Sequence, residues 1–222
     1  MKDFKIRCSA IGEIMATPRK KTETLSQTAK KYCENWLKEQ IFLRHKEIKN
    51  KYLDKGQIME DHAIDFISNY LKYEKPLIKN EHFLFNDFMS GTPDVIDLKN
   101  KLIIEVKNSW DCFTFPLFEN EISNKNYYYQ IQGYLHLQKF KKAKLIYVLM
   151  DTPENLIQKE YKYSQENNPF KYEEFREKYL YSNIKDKYRI KTFQVDYDKE
   201  VIKKIEEKVT QCREYIKQIK PK

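Results

Sequence analysis

The residues best suited to chemistry lie between Gly91 and Lys107: Gly91-Thr-Pro-Asp94-Val-Ile-Asp97, then Leu102-Ile-Ile-Glu105-Val-Lys107. In an extended strand, side chains at i and i+2 share a face, so Glu105 and Lys107 project together while Val106 points the other way, into a core. Lys99-Asn100 sits where a tight turn belongs, and a hairpin there returns the preceding strand alongside, with Asp94 across from Glu105 and Lys107. Two carboxylates and one ammonium then share a small volume. Paired carboxylates, water and phosphate oxygens make the hard-oxygen shell that Mg2+ prefers, and a metal so held polarises a phosphate and activates a water. Lys107 would position that water or stabilise charge developing on the phosphate. The alternative is a surface hairpin whose charges merely face solvent. Pro93-Asp94, eleven residues before Glu105 across a turn, is what argues for chemistry.

Two flanking stretches carry further candidates. The segment from Tyr52 to Leu71 places Met59, Ala63, Ile64, Phe66, Ile67 and Leu71 at helical spacing. Glu60 shares a face with Gly56, Ile64 and Ile67, and a carboxylate on an apolar stripe needs a partner, either a metal or a lysine at the stripe's edge. Gln130 and Tyr134 stand one turn apart on a helix expected over Asn126 to Gln138. There Gln130 would hold the attacking water and Tyr134 would back Lys107, or the amide and phenol pair with each other in the core. The many tyrosines and phenylalanines suit base stacking, but most are needed as core. His62, His82 and His136 lack zinc-site spacing and read as structural.

Around these residues the pattern predicts an α/β (α+β) fold. Ser9 is expected to cap a brief helix to about Ala16, and Thr17 to Thr24 reads as a basic, mobile loop. Helices over Leu25 to Leu43 and Tyr52 to Leu71 precede three strands, His82 to Phe85, Thr92 to Leu98 and Lys101 to Lys107, read as a meander. After the Asn126 to Gln138 helix, the β-branched run Ala143 to Leu149 fits a central strand buried on both faces. Helices at Glu154 to Gln165 and Tyr172 to Ile184, a strand at Arg189 to Val195 and a helix from Asp198 to about Ile219 follow without a chemical motif. The expectation is one domain over 1–222, with a motif-bearing core at about 52–152, an elaboration at 153–222, and a central mixed sheet flanked by helices.

Composition bounds the partners. Net charge is +9, from 42 basic and 33 acidic side chains, which suits a polyanion because lysines that neutralise phosphates release counterions. Lysine-rich, glycine-poor drift in an AT-rich genome gives the same balance. The charge is unevenly spread: Met1 to Ile58 carries 14 basic and 7 acidic residues, Glu81 to Cys112 three lysines against six acids. No apolar run is long enough to cross a bilayer and the N-terminus lacks a signal-peptide core, so a cytoplasmic location is expected. Cys8, Cys33, Cys112 and Cys212 form no C-x-x-C pair and read as reduced bystanders.

Pro93-Asp94, ten intervening residues and Glu105-Val-Lys107 resemble the signature of the PD-(D/E)XK nuclease superfamily, and the predicted element order is similar to its restriction-endonuclease-like core. Gly56-Gln-Ile-Met-Glu60-Asp-His-Ala63 resembles the G-x-x-x-E-x-x-A helix of lambda-exonuclease and YqaJ-like phage recombination nucleases. Tyr129-Gln130-Ile-Gln132-Gly-Tyr134 resembles their glutamine-bearing helix, and Arg7-Cys8-Ser9-Ala-Ile-Gly12 their N-terminal segment with a serine near the DNA phosphate. The resemblance covers about residues 5 to 152. It implies a Mg2+-dependent deoxyribonuclease, with Mn2+ as a substitute, degrading linear duplex DNA 5′ to 3′ in recombination or repair. Asp94, Glu105, Lys107 and Gln130 would be catalytic, with Glu60, Asp94, Glu105 and the Val106 carbonyl as metal ligands. Arg7, Ser9, Arg19 and Tyr134 would touch DNA. A single-strand annealing partner, a homo-trimer and a bacterial host cytoplasm are implied on the same basis. The family's arginine that grips a 5′-phosphate has no clear match, Arg7 and Arg19 being candidates. An endonuclease of the same superfamily, or an inactive nucleic-acid-binding protein on the same fold, stays open.

Overall fold

The computed structural model describes residues 3–20, 22–47, 50–164 and 170–221. In chain order the elements are β1 (Ile6–Arg7), a 3-10 turn (Cys8–Ala10), α1 (Ile11–Met15), α2 (Gln27–Phe42), α3 (Lys51–Tyr70), β2 (Leu84–Phe85), β3 (Met89–Gly91), β4 (Val95–Asp97), β5 (Leu102–Asn108), α4 (Lys125–Gln138), β6 (Lys142–Val148), α5 (Glu154–Ser164), α6 (Tyr172–Glu177), β7 (Ile190–Asp196) and α7 (Lys199–Ile219). Ser26, Asn50 and Asp198 cap α2, α3 and α7 with side-chain oxygens on free helix N–H groups. Among the described residues no helix is long and apolar enough to cross a membrane.

The main sheet runs β4-β5-β6-β7, with β5 and β6 parallel and both outer pairs antiparallel. The two central strands read as near-continuous apolar runs because both faces are covered. On one face Ala63, Ile64 and Ile67 of α3 meet Val95, Ile104, Val106 and Ile146. On the other, Ile103, Leu145, Phe193 and Val195 pack under residues of α1, α2, α4 and α7. Ile103, Ile104, Leu145 and Ile146 are all fully buried, each worth about 1.5–3 kcal/mol of transfer free energy.

Three local expectations are corrected. The meander is broken: β2 pairs with β3, and β3 with β1, in a separate three-stranded sheet, so only β4 and β5 form the expected hairpin. Pro93 lies between β3 and β4, and a residue without an N–H cannot continue a ladder. Ser9 does not cap a helix; it lies exposed within the 3-10 turn, and the cap position of α1, Ala10, makes no side-chain hydrogen bond. Helix α6 stops at Glu177, short of the expected Ile184. Gln165, expected at the end of α5, and Lys21, in the expected basic loop, lie outside the described residues.

Candidate active site

The β4–β5 register pairs Val95 with Ile104, so one step further sets Asp94 across from Glu105, on the face covered by α4. There the strand ends and a side chain replaces it: Asp94 Oδ2 accepts the Val106 N–H at 2.7 Å. A strand residue's N–H and C=O point to the same side, so the Val106 carbonyl also faces Asp94, where β4 has run out. Asn80 fixes the break, its N–H donating to the Asp94 carbonyl at 2.8 Å and its amide to the Pro93 carbonyl at 3.0 Å.

Glu105 is 1 % exposed. Its Oε1 accepts from Lys107 Nζ at 2.6 Å and from Gln130 Nε2 at 2.7 Å. Its Oε2 is buried with no hydrogen-bond partner. Gln130 comes from α4, which carries it over the sheet; its amide also donates to the Tyr134 hydroxyl at 3.1 Å, and its Oε1 lies 3.5 Å from Lys107 Nζ. Tyr134 thus braces Gln130. Of the two readings open in the sequence, the amide–phenol pair is the one that forms, and at 4 % exposure Tyr134 is buried away from the surface that the expected DNA contact requires. The ring of Tyr127, one turn before Gln130, backs the lysine instead, with Nζ 4.7 Å from its centroid.

Burial, and then the Glu105 charge, push the Asp94 carboxyl well above its usual range, against the opposing pull of Lys107 and the Val106 N–H. Burial works against the Lys107 ammonium, but Glu105 and Asp94 outweigh it and hold the lysine charged beyond the usual lysine value. An unpaired buried carboxylate oxygen is costly. With Asp94 and the Val106 carbonyl it makes a set of hard-oxygen donors of the kind that suits a small divalent cation. Glu60 is not part of that set. It pairs with Lys79 at 3.0 Å, and among the described residues no three His, Cys, Asp or Glu side chains converge as a metal cluster. The lysine ion pair, the alternative open in the sequence, is what forms; Glu60 reaches Asp94 through its charge alone.

Arg7, Ser9 and Arg19 are exposed. The 3-10 turn bearing Ser9 packs against α4 because two glycines admit it: a Cβ on Gly133 would meet Cys8 Sγ at 2.8 Å, and one on Gly91 would meet Cys8 Cβ at 3.1 Å and Tyr134 Cε1 at 2.7 Å. Sequence reasoning missed Tyr127, whose position three before Gln130 was a usable signal, and Lys55. The fully buried Lys55 ammonium donates to the carbonyls of Trp110, just beyond β5, and Met150, just beyond β6, at 3.0 and 2.7 Å. Burial lowers its pKa to about 7.

No family model and no curated protein sequence matches the chain. Among solved structures, a phage-related exonuclease from Haemophilus somnus 129PT is similar at 30% identity and TM-score 0.83, covering 98% of this chain and 96% of that one. The alkaline exonuclease LHK-Exo from Laribacter hongkongensis is similar in fold, at 13% identity and TM-score 0.63, covering 96% of this chain and 88% of that one. LHK-Exo in complex with dAMP gives 14% identity and the same TM-score. The mixed sheet between helices is therefore a restriction-endonuclease-like core.

Proposed function

The chain belongs to the family of phage-related exonucleases, on the lambda-exonuclease and YqaJ-like branch, and from that premise we propose that it is a Mg2+-dependent exonuclease of linear duplex DNA, acting 5′ to 3′. One observation carries the site assignment. Glu105 turns one oxygen to Lys107 and Gln130 and leaves the other buried and unpaired beside Asp94. In the proposed mechanism Asp94, Glu105 and the Val106 carbonyl hold Mg2+. When bound, the ion supplies Lewis-acid polarisation of the phosphate and a lower pKa for the attacking water.

The chain's own residues do the rest. Lys107, kept charged by two carboxylates and fixed against Tyr127, lies where charge builds on the phosphate and needs no reorganisation to meet it. Gln130 is fixed by Glu105 and Tyr134, leaving its carbonyl oxygen to orient the water. Burial excludes bulk solvent, which strengthens each of these interactions. Arg7, Ser9 and Arg19 are exposed cationic and hydroxyl groups suited to the DNA backbone.

The test is digestion of one plasmid as linear and as covalently closed DNA in Mg2+, with and without 5′-phosphates. Loss of the linear form from its 5′ ends, with the closed form spared, is expected. Rapid nicking of the closed circle would move the chain to endonuclease chemistry.

A further inference from the structure

Away from the active site, across β6 from β5, the sheet ends in an open edge. Tyr197 N–H bonds to the Lys141 carbonyl and Leu149 N–H to the Arg189 carbonyl. With the β6–β7 register and the two-residue alternation of an antiparallel ladder, this turns the odd-numbered residues of β7 toward β6. The backbone N–H and C=O groups of Thr192 and Gln194 therefore point outward. Among the described residues no hydrogen-bond partner meets them. Only the end of the edge is closed: the fully buried Gln132 donates to the Asp196 carbonyl at 2.8 Å and accepts the Asp198 N–H at 2.8 Å.

Beside this edge runs a groove of about 910 Å3 between β7 and the N-terminal turns of α4 and α7. Its charge opposes that of the molecule. Glu121, Asp196, Asp198 and Glu200 line it against Lys125 and Lys199, on a chain of net charge +9. Asp198 and Glu200, at the start of α7, also offset the partial positive charge of that helix end. Nucleic acid is disfavoured here, because phosphates would meet four carboxylates. An exposed, unprotected strand edge is a template for another extended backbone.

We propose that the β7 edge and its groove form a docking site for an extended basic segment of a partner protein, which adds as a fifth strand beside β7. Main-chain hydrogen bonds to Thr192 and Gln194 hold the segment, and the groove's carboxylates select lysines or arginines on it. The site is separate from the active site, so a partner can ride on the enzyme while DNA occupies the centre at Asp94 and Glu105.

The probe is a fluorescent peptide alternating lysine with threonine, followed by anisotropy, beside a copy with alternate amides N-methylated and a glutamate-for-lysine copy. Gln194→Pro removes one outward N–H and leaves the β6 ladder intact. Glu121→Lys with Glu200→Lys reverses the groove's charge without touching the backbone. Binding of the lysine peptide to wild type is expected, weakened on the order of tenfold or more by Gln194→Pro, by the charge reversal and by N-methylation, with degradation of linear DNA unchanged in each variant. Equal binding of the methylated peptide, or of the glutamate peptide, overturns the proposal. So does a shift in sedimentation showing that Gln194→Pro separates copies of this chain. If Gln194→Pro fails to fold, the methylated peptide and the charge reversal decide the matter.

Discussion

Glu105 uses its two oxygens differently: Oε1 accepts from Lys107 and Gln130, and Oε2 is buried without a hydrogen-bond partner. Lys107 is accordingly a charge held in place before substrate arrives. Lys107→Ala should lower cleavage by a factor on the order of 100 or more while DNA affinity stays close to wild type, since one oriented transition-state stabiliser is lost. Single-turnover rates and filter binding measure the two. Near wild-type cleavage would remove Lys107 from the mechanism. Tyr127 acts through that lysine. Tyr127→Phe keeps the ring face and should leave the rate almost unchanged, whereas Tyr127→Leu should slow it several-fold, the size of a cation–π contact of about 1 kcal/mol. Equal rates for the two variants would show that the ring merely fills space.

At the scale of elements, two of the glycines in the flanking motifs, Gly56 and Gly133, make opposite predictions. A Cβ at Gly56, inside α3, meets nothing within 4 Å, so Gly56→Ala should raise stability by about 0.5–1 kcal/mol through lower chain entropy in the unfolded state. A Cβ at Gly133 meets Cys8 and Ile11 at 2.8 Å, so Gly133→Ala should cost about 1–3 kcal/mol as the 3-10 turn and α1 are pushed off α4. Urea titrations of both variants test the pair, and stabilisation at Gly133 would contradict the packing. Lys55 gives a pH dependence. Its folded pKa, about 7, lies below the ordinary lysine value of about 10.4, so between those values the unfolded chain binds the additional proton and stability rises with pH. Lys55→Met should flatten that rise, and an unchanged slope would mean the ammonium is not desolvated. The elements themselves were largely legible. Apolar period placed α3 and β6, and the i, i+2 rule set Glu105 and Lys107 on one face. The break of the meander at Pro93 was not, because strand pairing beyond a hairpin depends on which edge is free. Nor was the Glu60–Lys79 ion pair, since Lys79 lies in an irregular segment whose path no local pattern fixes.

For the whole molecule, a net charge of +9 implies binding that weakens steeply with salt. The logarithm of the DNA association constant should fall linearly with that of salt concentration, at about 0.9 per phosphate neutralised. Titrations over a range of NaCl read the slope, and a flat line would mean the basic surface does not meet DNA. In the proposed mechanism that field would draw in the polyanion, while Asp94 and Glu105 would confine the chemistry to the sheet's centre. The measurement closest to the central claim is nucleotide release from linear duplex DNA in Mg2+, by wild type and by Glu105→Gln, a change that keeps the shape and removes the charge. Steady release by wild type is predicted, falling on the order of 100-fold or more in the variant and in excess EDTA. Undiminished release by Glu105→Gln, or by wild type in EDTA, would contradict the account.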